Sequence, residues 1–244
     1  MNKKINKLEN LIQNSNFTVV LSGAGVSTSA GIPDFRGKNG IYQTGEYDAA
    51  KTFEYRYFVN DPSHFFKFSH DYMAKIEDIK PTYTHNLLAR LEKNSMLDFI
   101  ITQNIDGLHQ KAGSQNVLQM HGSYQTAHCL NCNKKYNYPW IKKNLLENSS
   151  LYCEECGGLV KPDIVFFGEP VKYIRKSQKV IHKSDLMLIL GSSLTVQPAS
   201  YLPLIAGGKI VIINKGEIAL PQKKFDLIIK KDLDETMKKL DIFN

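Results

Sequence analysis

The chain has 244 residues, 42% of them hydrophobic and 10% aromatic, which is enough to bury the core of one large domain or of a domain with an inserted lobe. This composition excludes a disordered or low-complexity protein, and no apolar run is long enough to span a bilayer. The formal net charge is +7, but the lysines are scattered and no arginine-rich helix appears, so we interpret the charge as a solvated lysine-rich surface.

A first helix is predicted ahead of residue 17, because Ile5, Leu8, Leu11 and Ile12 recur at helical spacing. The segment contains lysines but lacks the apolar core of an export signal. We therefore expect the protein to reside in the cytoplasm.

An apolar, β-branched run at 17–21 predicts the first strand, which breaks into Gly23-Ala24-Gly25 and then hydroxyl-rich residues able to open a helix. A strand that passes through glycines into a helix N-terminus is a phosphate-binding arrangement. The segment departs from the ordinary dinucleotide fingerprint, because Thr28 occupies the third glycine position and no acidic residue ends a second strand about twenty residues on. The chain instead runs into Asp34-Phe35-Arg36, which indicates a nucleotide site with chemistry beside it.

The rest of the chain follows the pattern of a doubly wound α/β protein with a mostly parallel, Rossmann-like sheet. Residues 41–80 are aromatic and polar and predict short helices and loops, and a further helix is predicted from Pro81 to Lys93. Apolar runs, several of them continuous as in strands covered on both faces, predict strands at 98–102, 117–120, 163–167, 185–190, 209–213 and 226–229. A last amphipathic helix is predicted near 232–242.

The four cysteines form two pairs, Cys129-x-x-Cys132 and Cys153-x-x-Cys156, with twenty residues between them. Two such knuckles predict a tetrahedral Zn–S4 site, with thiolates at about 2.3 Å from the metal. A pair of disulfides is disfavoured in a chain without an export signal, and a redox Cys-x-x-Cys is disfavoured by the ribbon-like spacing. We predict one structural zinc per chain, which leaves no thiol for a catalytic nucleophile.

The cysteine segment interrupts the alternation of strands and helices. We therefore expect a Rossmann-like nucleotide-binding domain formed by 1–40, 81–123 and 161–244. A small helical and zinc-ribbon lobe is expected from 41–80 and 124–160.

Most of the predicted strands end in polar, turn-forming residues, and ligands of open α/β sheets gather beyond the carboxyl ends of the strands. The segments concerned are Thr102–His109, His121-Gly122, Phe166–Glu169, Gly191–Ser193 and Asn214–Glu217. Together with Asp34-Phe35-Arg36 they imply a pocket of amides, hydroxyls, carboxylates and one imidazole.

These segments resemble the signature motifs of the sirtuin family, the NAD-dependent protein deacylases. The motifs follow the family order, and the match runs from about residue 17 to about residue 232. The five motifs are Gly23-Ala-Gly-Val-Ser through Gly31-Ile-Pro-Asp-Phe-Arg36, Thr102-Gln-Asn-Ile-Asp-Gly-Leu-His109, His121-Gly122 with the paired cysteines, Lys161-Pro-Asp-Ile-Val-Phe-Phe-Gly-Glu169, and Gly191-Ser-Ser-Leu-Thr-Val-Gln-Pro-Ala199. Two departures are mild: Phe166 stands where tryptophan is common and Lys161 where arginine is common. We expect little consequence from either.

The resemblance implies that NAD is consumed as a co-substrate. The bond to nicotinamide breaks, the acyl-lysine carbonyl oxygen attacks the sugar, and the products are nicotinamide, free lysine and O-acyl-ADP-ribose. It makes His121 the general base, a role that suits an imidazole because its unperturbed pKa lies near working pH. Asn104, with Gln103, would orient the ribose and a water molecule.

The resemblance also implies the remaining contacts. Ile105 and Asp106 would contact the nicotinamide, and Phe35 would cover the site. The phosphates would be bound by Ala24, Thr28 and Arg36, and the adenosine half by Ser192, Ser193, Asn214 and Asp232. Further contacts along the cofactor would come from Gly23, Gly25, Asp34 and Gly191. The substrate peptide would add a strand along the edge that contains Val165, Phe167 and Gly168.

Simpler structural roles compete with several of these assignments. A lone histidine such as His121 is more often a hydrogen-bonded core residue, but its position beside a glycine at a strand end favours the base. Asp34 fits a role in bracing its loop as well as it fits cofactor contact. We interpret His109 as fixing its helix, and Asp163 and Glu169 as structural, because paired carboxylates do not suit this reaction.

The acyl group is partly readable. Family members that prefer succinyl or malonyl chains carry a Tyr-x-x-Arg pair in the helical lobe, and Ser69 and Tyr72 stand at the aligned places here. Without an arginine to pair with a carboxylate, an uncharged acyl group, acetyl first, is expected.

Three other functions remain open at this point. A protein mono-ADP-ribosyltransferase would use the same site, and an NAD oxidoreductase is disfavoured by Thr28 and by the missing ribose-binding acid. A zinc-ribbon nucleic-acid binder is suggested only by the cysteines and the positive charge. The expected partner is an acylated lysine in a protein substrate, with no membrane and no required nucleic acid.

Overall fold

The computed structural model describes residues 2–34, 40 and 44–243. The strands are β1 (Thr18–Ser22), β2 (Phe99–Thr102), β3 (Val117–Gln119), β4 (Gly122–Cys129), β5 (Lys135–Asn137), β6 (Val160–Ile164), β7 (Leu186–Leu190), β8 (Lys209–Ile213) and β9 (Leu227–Ile229). The α-helices are α1 (Asn2–Gln13), α2 (Ala49–Thr52), α3 (Tyr55–Asn60), α4 (Ser63–Ile76), α5 (Tyr83–Lys93), α6 (Leu108–Lys111), α7 (Tyr138–Asn148), α8 (Ile174–Lys183) and α9 (Leu233–Met237).

The chain divides into two compact units. Unit 1 comprises Met1–Asp34, Lys80–Met120 and Tyr173–Asn244. Unit 2 comprises Phe35–Ile79 and His121–Lys172.

Unit 1 is built on a six-stranded sheet in the order β3-β2-β1-β7-β8-β9, in which every neighbouring pair is parallel. All five residues of β1 and all five of β7 are buried, as expected for strands covered on both faces. This sheet confirms the predicted doubly wound α/β class.

The helices of unit 1 form where the apolar period predicts them. Ile5, Leu8 and Ile12 of α1 are buried, and the last two join a core cluster with the strands and with α5 and α9. α5 begins at a capping box, in which the Thr82 hydroxyl accepts from the His85 amide and His85 Nδ1 accepts from the Thr82 amide. The strands of the unit 1 sheet are therefore held by helices packed against them.

Unit 2 contains a three-stranded antiparallel sheet in the order β5-β4-β6 and the helices α2, α3, α4 and α7. Its core is aromatic. Phe166 lies with its ring centroid 4.8 Å from that of Phe65 and 5.2 Å from that of Phe58. Phe166 is 2% exposed, so its ring fills the interior of this unit.

The prediction that residues 163–167 form a strand of the main sheet is wrong. β6 pairs antiparallel with β4 in unit 2, with Val160 opposite Cys129 and Ile164 opposite Gly122. Residues 121–123 and 161–172 accordingly cluster with unit 2, whereas the sequence placed them in the large domain. The run is apolar because it packs into an aromatic core, not because helices cover both of its faces.

Two predicted helices also differ in extent. The helix expected after the glycines is replaced by two short 3-10 turns, Ala24–Val26 and Thr28–Ala30. The last helix is confined to 233–237 instead of 232–242. Among the residues that the structure describes, no helix combines the length and apolar character needed to cross a membrane.

Candidate functional site

The carboxyl ends of β1 and β7 lie side by side in the middle of the unit 1 sheet. From β1 the sheet continues to β2 and β3 on one side, and from β7 to β8 and β9 on the other. Ligands of open α/β sheets bind at such a switch point. The two loops touch there through their main chains, because the Gly23 amide donates to Leu190 O at 3.0 Å and the Gly25 amide to Gly191 O at 2.9 Å.

The glycines at this point are required by close approach. A Cβ on Gly25 would lie 2.7 Å from Gly191 Cα, and a Cβ on Gly191 would lie 2.6 Å from the carbonyl carbon of Gly25. Gly191 also has a φ of +60°, which favours glycine. The two loops therefore pack main chain against main chain, and we call this pair of glycine loops the glycine cradle; its place at the switch point fits a dinucleotide phosphate.

Asn104 and Asp106 follow β2 and are joined to the glycine loop by Ser27. Asn104 is buried, and its Nδ2 donates to Gly23 O and to Ser27 Oγ, each at 3.2 Å. Ser27 Oγ donates to Asp106 Oδ2 at 2.7 Å, and Asp106 Oδ1 accepts from the Leu108 amide at 2.9 Å. The network holds one amide and one half-buried carboxylate beside the glycine cradle.

Gln103 reaches across the switch point. Its backbone amide donates to Ser22 O at 3.0 Å, and its side-chain Nε2 donates to Ser192 Oγ at 3.1 Å. Ser192 is 6% exposed and Ser193 lies next to it, with Oγ 3.0 Å from Thr195 Oγ1. The structure thus brings the predicted residues at 103 and 192 into direct contact.

A buried pair of histidines lies in the same unit. His109 Nε2 is 2.9 Å from Ser22 Oγ, and its ring centroid is 4.6 Å from that of His85. Burial lowers the pKa of His109 well below its usual range, and the neighbouring His85 ring adds to this effect. His109 therefore binds the end of β1 as a neutral imidazole, in keeping with its interpretation as a residue that fixes its helix.

In unit 2, His121 immediately precedes β4, and its carbonyl accepts a hydrogen bond from the Val165 amide at 2.9 Å. The next residue, Gly122, has a φ of +70°, and a Cβ there would lie 1.8 Å from Asp163 O. Only glycine fits this position. The close strand contact fixes the backbone that carries the half-buried His121 imidazole.

The four cysteines of unit 2 converge. Cys129 Sγ lies 3.5 Å from Cys156 Sγ, and Cys132 Sγ lies 3.6 Å from Cys153 Sγ. All four sulfur atoms lie within 4.8 Å of one another, and no disulfide joins them. Thiolates about 2.3 Å from one tetrahedral zinc would stand roughly 3.8 Å apart, so the donor set fits a structural Zn–S4 site.

The knuckle loops explain this convergence. The Asn133 amide donates to Cys129 O at 3.0 Å, and the Gly157 amide donates to Cys153 O at 2.9 Å. Both loop-closing residues have positive φ, 60° at Asn133 and 67° at Gly157. Asparagine and glycine tolerate this left-handed conformation best, so each Cys-x-x-Cys folds back on itself locally.

Comparison with known proteins decides the family. The model of the Sir2 family matches residues 23–198. The chain belongs to the Sir2 family. It is 42% identical over 219 residues to an NAD-dependent protein deacetylase of Thermotoga maritima, covering 88% of each chain, and 38% identical over 240 residues to one of Clostridium acetobutylicum, covering 96% of each.

Solved structures of the family have the same fold. A Sir2 structure described with a p53 peptide and NAD+ superposes with a TM-score of 0.87 at 38% identity and covers 96% of each chain. Another, described with a deacetylated p53 peptide and 3′-O-acetyl ADP-ribose, superposes with a TM-score of 0.89 at 39% identity over 96% of each chain.

The other predicted residues of this Sir2-family chain have local partners. Thr28 is exposed and its Oγ1 donates to Gly25 O at 3.1 Å. Asn214 Nδ2 donates to Gly216 O and Glu217 O, each at 3.2 Å, and Asp232 caps α9 by accepting from the Glu235 amide. The predicted contacts Phe35 and Arg36 lie outside the described residues, and Asp34 directly precedes them.

The peptide edge predicted in unit 2 is a tight loop. Phe167 is exposed and bonds the backbone at the start of α3 through both of its backbone groups, its amide donating to Phe53 O at 2.8 Å and its carbonyl accepting from the Tyr55 amide at 3.1 Å. Val165 is half-buried and Gly168 has a φ of +93°. The loop ends at Glu169, which accepts from the Phe166 amide at 2.8 Å.

Sequence reasoning missed two residues of this Sir2-family chain. Ser27 is one of several hydroxyl residues after the glycines, and only its full burial and its bond to Asp106 distinguish it. Lys161 is 2% exposed and pairs with Glu169 at 2.8 Å. Burial lowers the pKa of Lys161, although the Glu169 carboxylate opposes the shift. A lysine in a motif gives no sign of burial, because lysines are almost always exposed.

Proposed function

We propose that this protein is an NAD-dependent protein-lysine deacetylase that releases nicotinamide and transfers the acetyl group to ADP-ribose. Its curated relatives of about 40% identity are NAD-dependent protein deacetylases, and they span nearly the whole chain. Unit 1 is the NAD-binding domain, formed by the sheet and its switch point.

The hydrogen-bonded set of Asn104, Ser27 and Asp106 beside the glycine cradle carries this proposal. The dinucleotide site of a hydride-transferring enzyme typically combines a glycine turn with a ribose-binding acid at the end of the second strand. Here an amide and a carboxylate are instead held rigidly at the end of β2, which suits binding of a ribose and of a nicotinamide carboxamide. Bound NAD supplies the glycosidic bond that the reaction breaks.

Each residue then has a defined task. The main chain at Gly23, Ala24 and Gly25 receives the phosphates, and Ser192 and Ser193 bind toward the adenosine half. Asp106 accepts from the carboxamide nitrogen of nicotinamide, while Asn104 orients the ribose. His121 acts as the general base that takes the proton from the ribose hydroxyls.

The remaining assignments follow the family motifs. They are Gln103 at the ribose, Ile105 at the carboxamide, Phe35 over the site, Thr28, Asp34, Arg36 and Gly191 on the phosphate side, and Asn214 and Asp232 at the adenosine. Val165, Phe167 and Gly168 form the edge along which an acylated peptide adds a strand.

An uncharged acyl group fits the helical lobe. Ser69 is fully buried and its Oγ lies 2.7 Å from Tyr124 OH, and the Tyr72 ring stacks on that of Tyr124 with centroids 5.4 Å apart. Both aligned positions are thus engaged inside unit 2, and neither supplies a cation for a carboxylate. We propose acetyl as the preferred group and expect succinyl-lysine to be a poor substrate.

Zinc has a structural role in this proposal. Cys129, Cys132, Cys153 and Cys156 would hold it, and a complete set of four thiolates leaves no position for a substrate. Four cysteines that form no disulfide also suit a reducing compartment, which supports the cytoplasm as the location. Nucleic acid is not required.

Nicotinamide release tests the function. The protein, NAD and an acetyl-lysine peptide are incubated, and nicotinamide, deacetylated peptide and O-acetyl-ADP-ribose are measured by mass spectrometry. The proposal expects all three in equal amounts and little turnover of the matched succinyl-lysine peptide. Reduced NAD at 340 nm would indicate an oxidoreductase instead, and ADP-ribose attached to protein would indicate a transferase.

A further inference from the structure

The loop that carries the proposed peptide edge is wrapped around a buried ammonium group. Lys161 Nζ donates to Ile164 O at 2.6 Å, to Pro162 O at 3.3 Å and to Glu169 Oε2 at 2.8 Å. These three acceptors use all three of its protons. The same Nζ lies 4.3 Å from the centroid of the Phe166 ring.

Glu169 closes the loop from the other end. Its Oε2 accepts from the Phe166 amide at 2.8 Å, and its own amide donates to Phe166 O at 3.0 Å. Gly168, with a φ of +93°, occupies the third position of this turn, where a type II turn requires positive φ. One ion pair therefore ties both ends of the loop, while Phe167 at its tip is 48% exposed.

Burying this ion pair costs desolvation free energy, so the pair is not explained by stability alone. A lysine side chain that is only 3% exposed and a carboxylate that is 25% exposed both lose hydration, and such pairs contribute little net stability compared with neutral residues of similar shape. What this pair does provide is a fixed path for the main chain from Ile164 to Glu169. The backbone of Val165 in turn bonds His121 O at 2.9 Å.

We infer that Lys161 and Glu169 form a positioning pair that holds the edge at 164–169 in the shape that receives the substrate peptide. This inference rests on the proposed deacetylase function and assigns the pair a role in peptide affinity. A strand-adding peptide binds mainly through main-chain hydrogen bonds, so its affinity depends on the path of the edge that receives it. NAD affinity does not depend on this loop.

Two variants of the zinc-loaded enzyme, each removing charge from the pair, test the inference. Glu169→Gln keeps the shape and the acceptor oxygen but removes the charge. The double variant Lys161→Met/Glu169→Gln removes both charges, so no unpaired ammonium remains buried and stability is largely preserved. Binding is measured by fluorescence anisotropy with a labelled acetyl-lysine peptide, and steady-state kinetics give the KM for NAD.

We expect the Kd for the peptide to rise about fivefold in Glu169→Gln, which removes one charge of the pair, and tenfold or more in the double variant, which also removes the hydrogen bonds of the ammonium group. The KM for NAD should stay within about twofold. Lys161→Arg keeps a buried cation opposite Glu169, so the Kd of this variant for the peptide should lie within about threefold of the wild-type value. Glu77→Gln, which breaks the exposed ion pair with Lys142 in the same unit, is the matched control and should leave the Kd unchanged.

Wild-type peptide affinity in a folded Glu169→Gln or double variant would overturn the inference, and so would an equal rise in the KM for NAD. If the double variant does not fold, Glu169→Gln decides the question. Failure of the proposed function would look different. In that case the wild-type enzyme itself would release no nicotinamide from NAD and the acetyl-lysine peptide.

Discussion

Ser27 Oγ donates a hydrogen bond of 2.7 Å to Asp106 Oδ2, and both residues lie at the carboxyl edge of the unit 1 sheet. The same hydroxyl accepts from Asn104 Nδ2 at 3.2 Å. Ser27 thus orients both side chains that we assign to the ribose and the nicotinamide. It is fully buried at the junction of the two 3-10 turns that follow β1.

Replacing Ser27 by alanine should separate positioning from folding. Ser27→Ala leaves Asp106 with one bond fewer and removes the acceptor of Asn104. We expect kcat/KM for NAD to fall by about 10-fold to 100-fold, the range for a hydrogen bond to a charged group, while peptide affinity is unchanged. Steady-state kinetics and peptide anisotropy measure the two effects.

Ser29→Ala is the control for this substitution. Ser29 is exposed and donates to Asp234 Oδ2 at 2.9 Å, away from the network around Asp106. It should alter kcat/KM by less than about threefold. Equal losses in the two variants would mean that Ser27 acts only through the stability of its turn.

The pair of His85 and His109 makes stability depend on pH. Burial lowers the pKa of both rings, and for His85 the charges of Asp106 and Asp234 only partly oppose this. As the pH falls below about 6.5, the unfolded chain takes up protons at these histidines and the folded chain does not. The free energy of unfolding should therefore drop by up to about 1.4 kcal/mol per pH unit for each histidine.

Urea unfolding at intervals between pH 7.5 and pH 5 measures this slope. His109→Gln removes one of the two groups and should reduce the slope by about half, whatever its effect at pH 7.5. His182→Gln, which changes an exposed histidine on α8, should leave the slope as it is in the wild type. A stability that stays constant over this range would show that the buried rings do titrate in the folded state.

Most of the helices and strands were predictable, because the spacing and length of the apolar runs indicate them. Continuous apolar runs at 185–190 and 209–213 indicate strands buried on both faces, and the structure places them in the middle of a parallel sheet. The run at 163–167 shows the limit of this argument. Burial alone does not reveal the partner, and β6 pairs with β4 because the packing of Phe166 and the contact at Gly122 favour the smaller sheet.

In the candidate site, too, local features were predictable from the sequence and contacts between distant segments were not. The cysteine spacing predicts a metal cluster because two knuckles are local structures, and the four sulfur atoms converge as expected. The tasks of Ser27 and Lys161 depend on contacts between distant segments. No local pattern distinguishes a buried hydroxyl or a buried ammonium from their exposed equivalents.

His121→Ala should abolish turnover without unfolding the protein. An imidazole acting as general base contributes about 10²-fold to 10⁴-fold, so kcat should fall by at least about 100-fold. The backbone at this point is held by His121 O and by Gly122, and neither needs the ring. His70→Ala removes a half-buried histidine that is paired with Asp71, and it should retain wild-type kcat.

Product analysis gives a second check of His121. If the ring acts after nicotinamide has left, the variant should still exchange labelled nicotinamide into NAD while acetyl transfer stops. Near-normal deacetylation by His121→Ala would remove the imidazole from the mechanism.

Zinc removal should unfold unit 2 selectively. Freshly purified protein is expected to contain one zinc per chain, because the four thiolates form a complete tetrahedral set. A structural zinc site contributes directly to folding, and here it joins a knuckle at the end of β4 to one that precedes β6. Chelation should therefore remove amide protection in residues 121–172, whereas the parallel sheet of unit 1 keeps its slow exchange.

Hydrogen exchange read by mass spectrometry resolves the two units peptide by peptide. Cys153→Ser should reproduce the effect of chelation, since it removes one of the four ligands, and added zinc should rescue the chelated wild type but not the variant. Ser150→Ala, an exchange of similar size three residues away, should keep full metal content. Purified protein without zinc, or equal loss of protection in β1 and β4, would contradict a structural metal confined to unit 2.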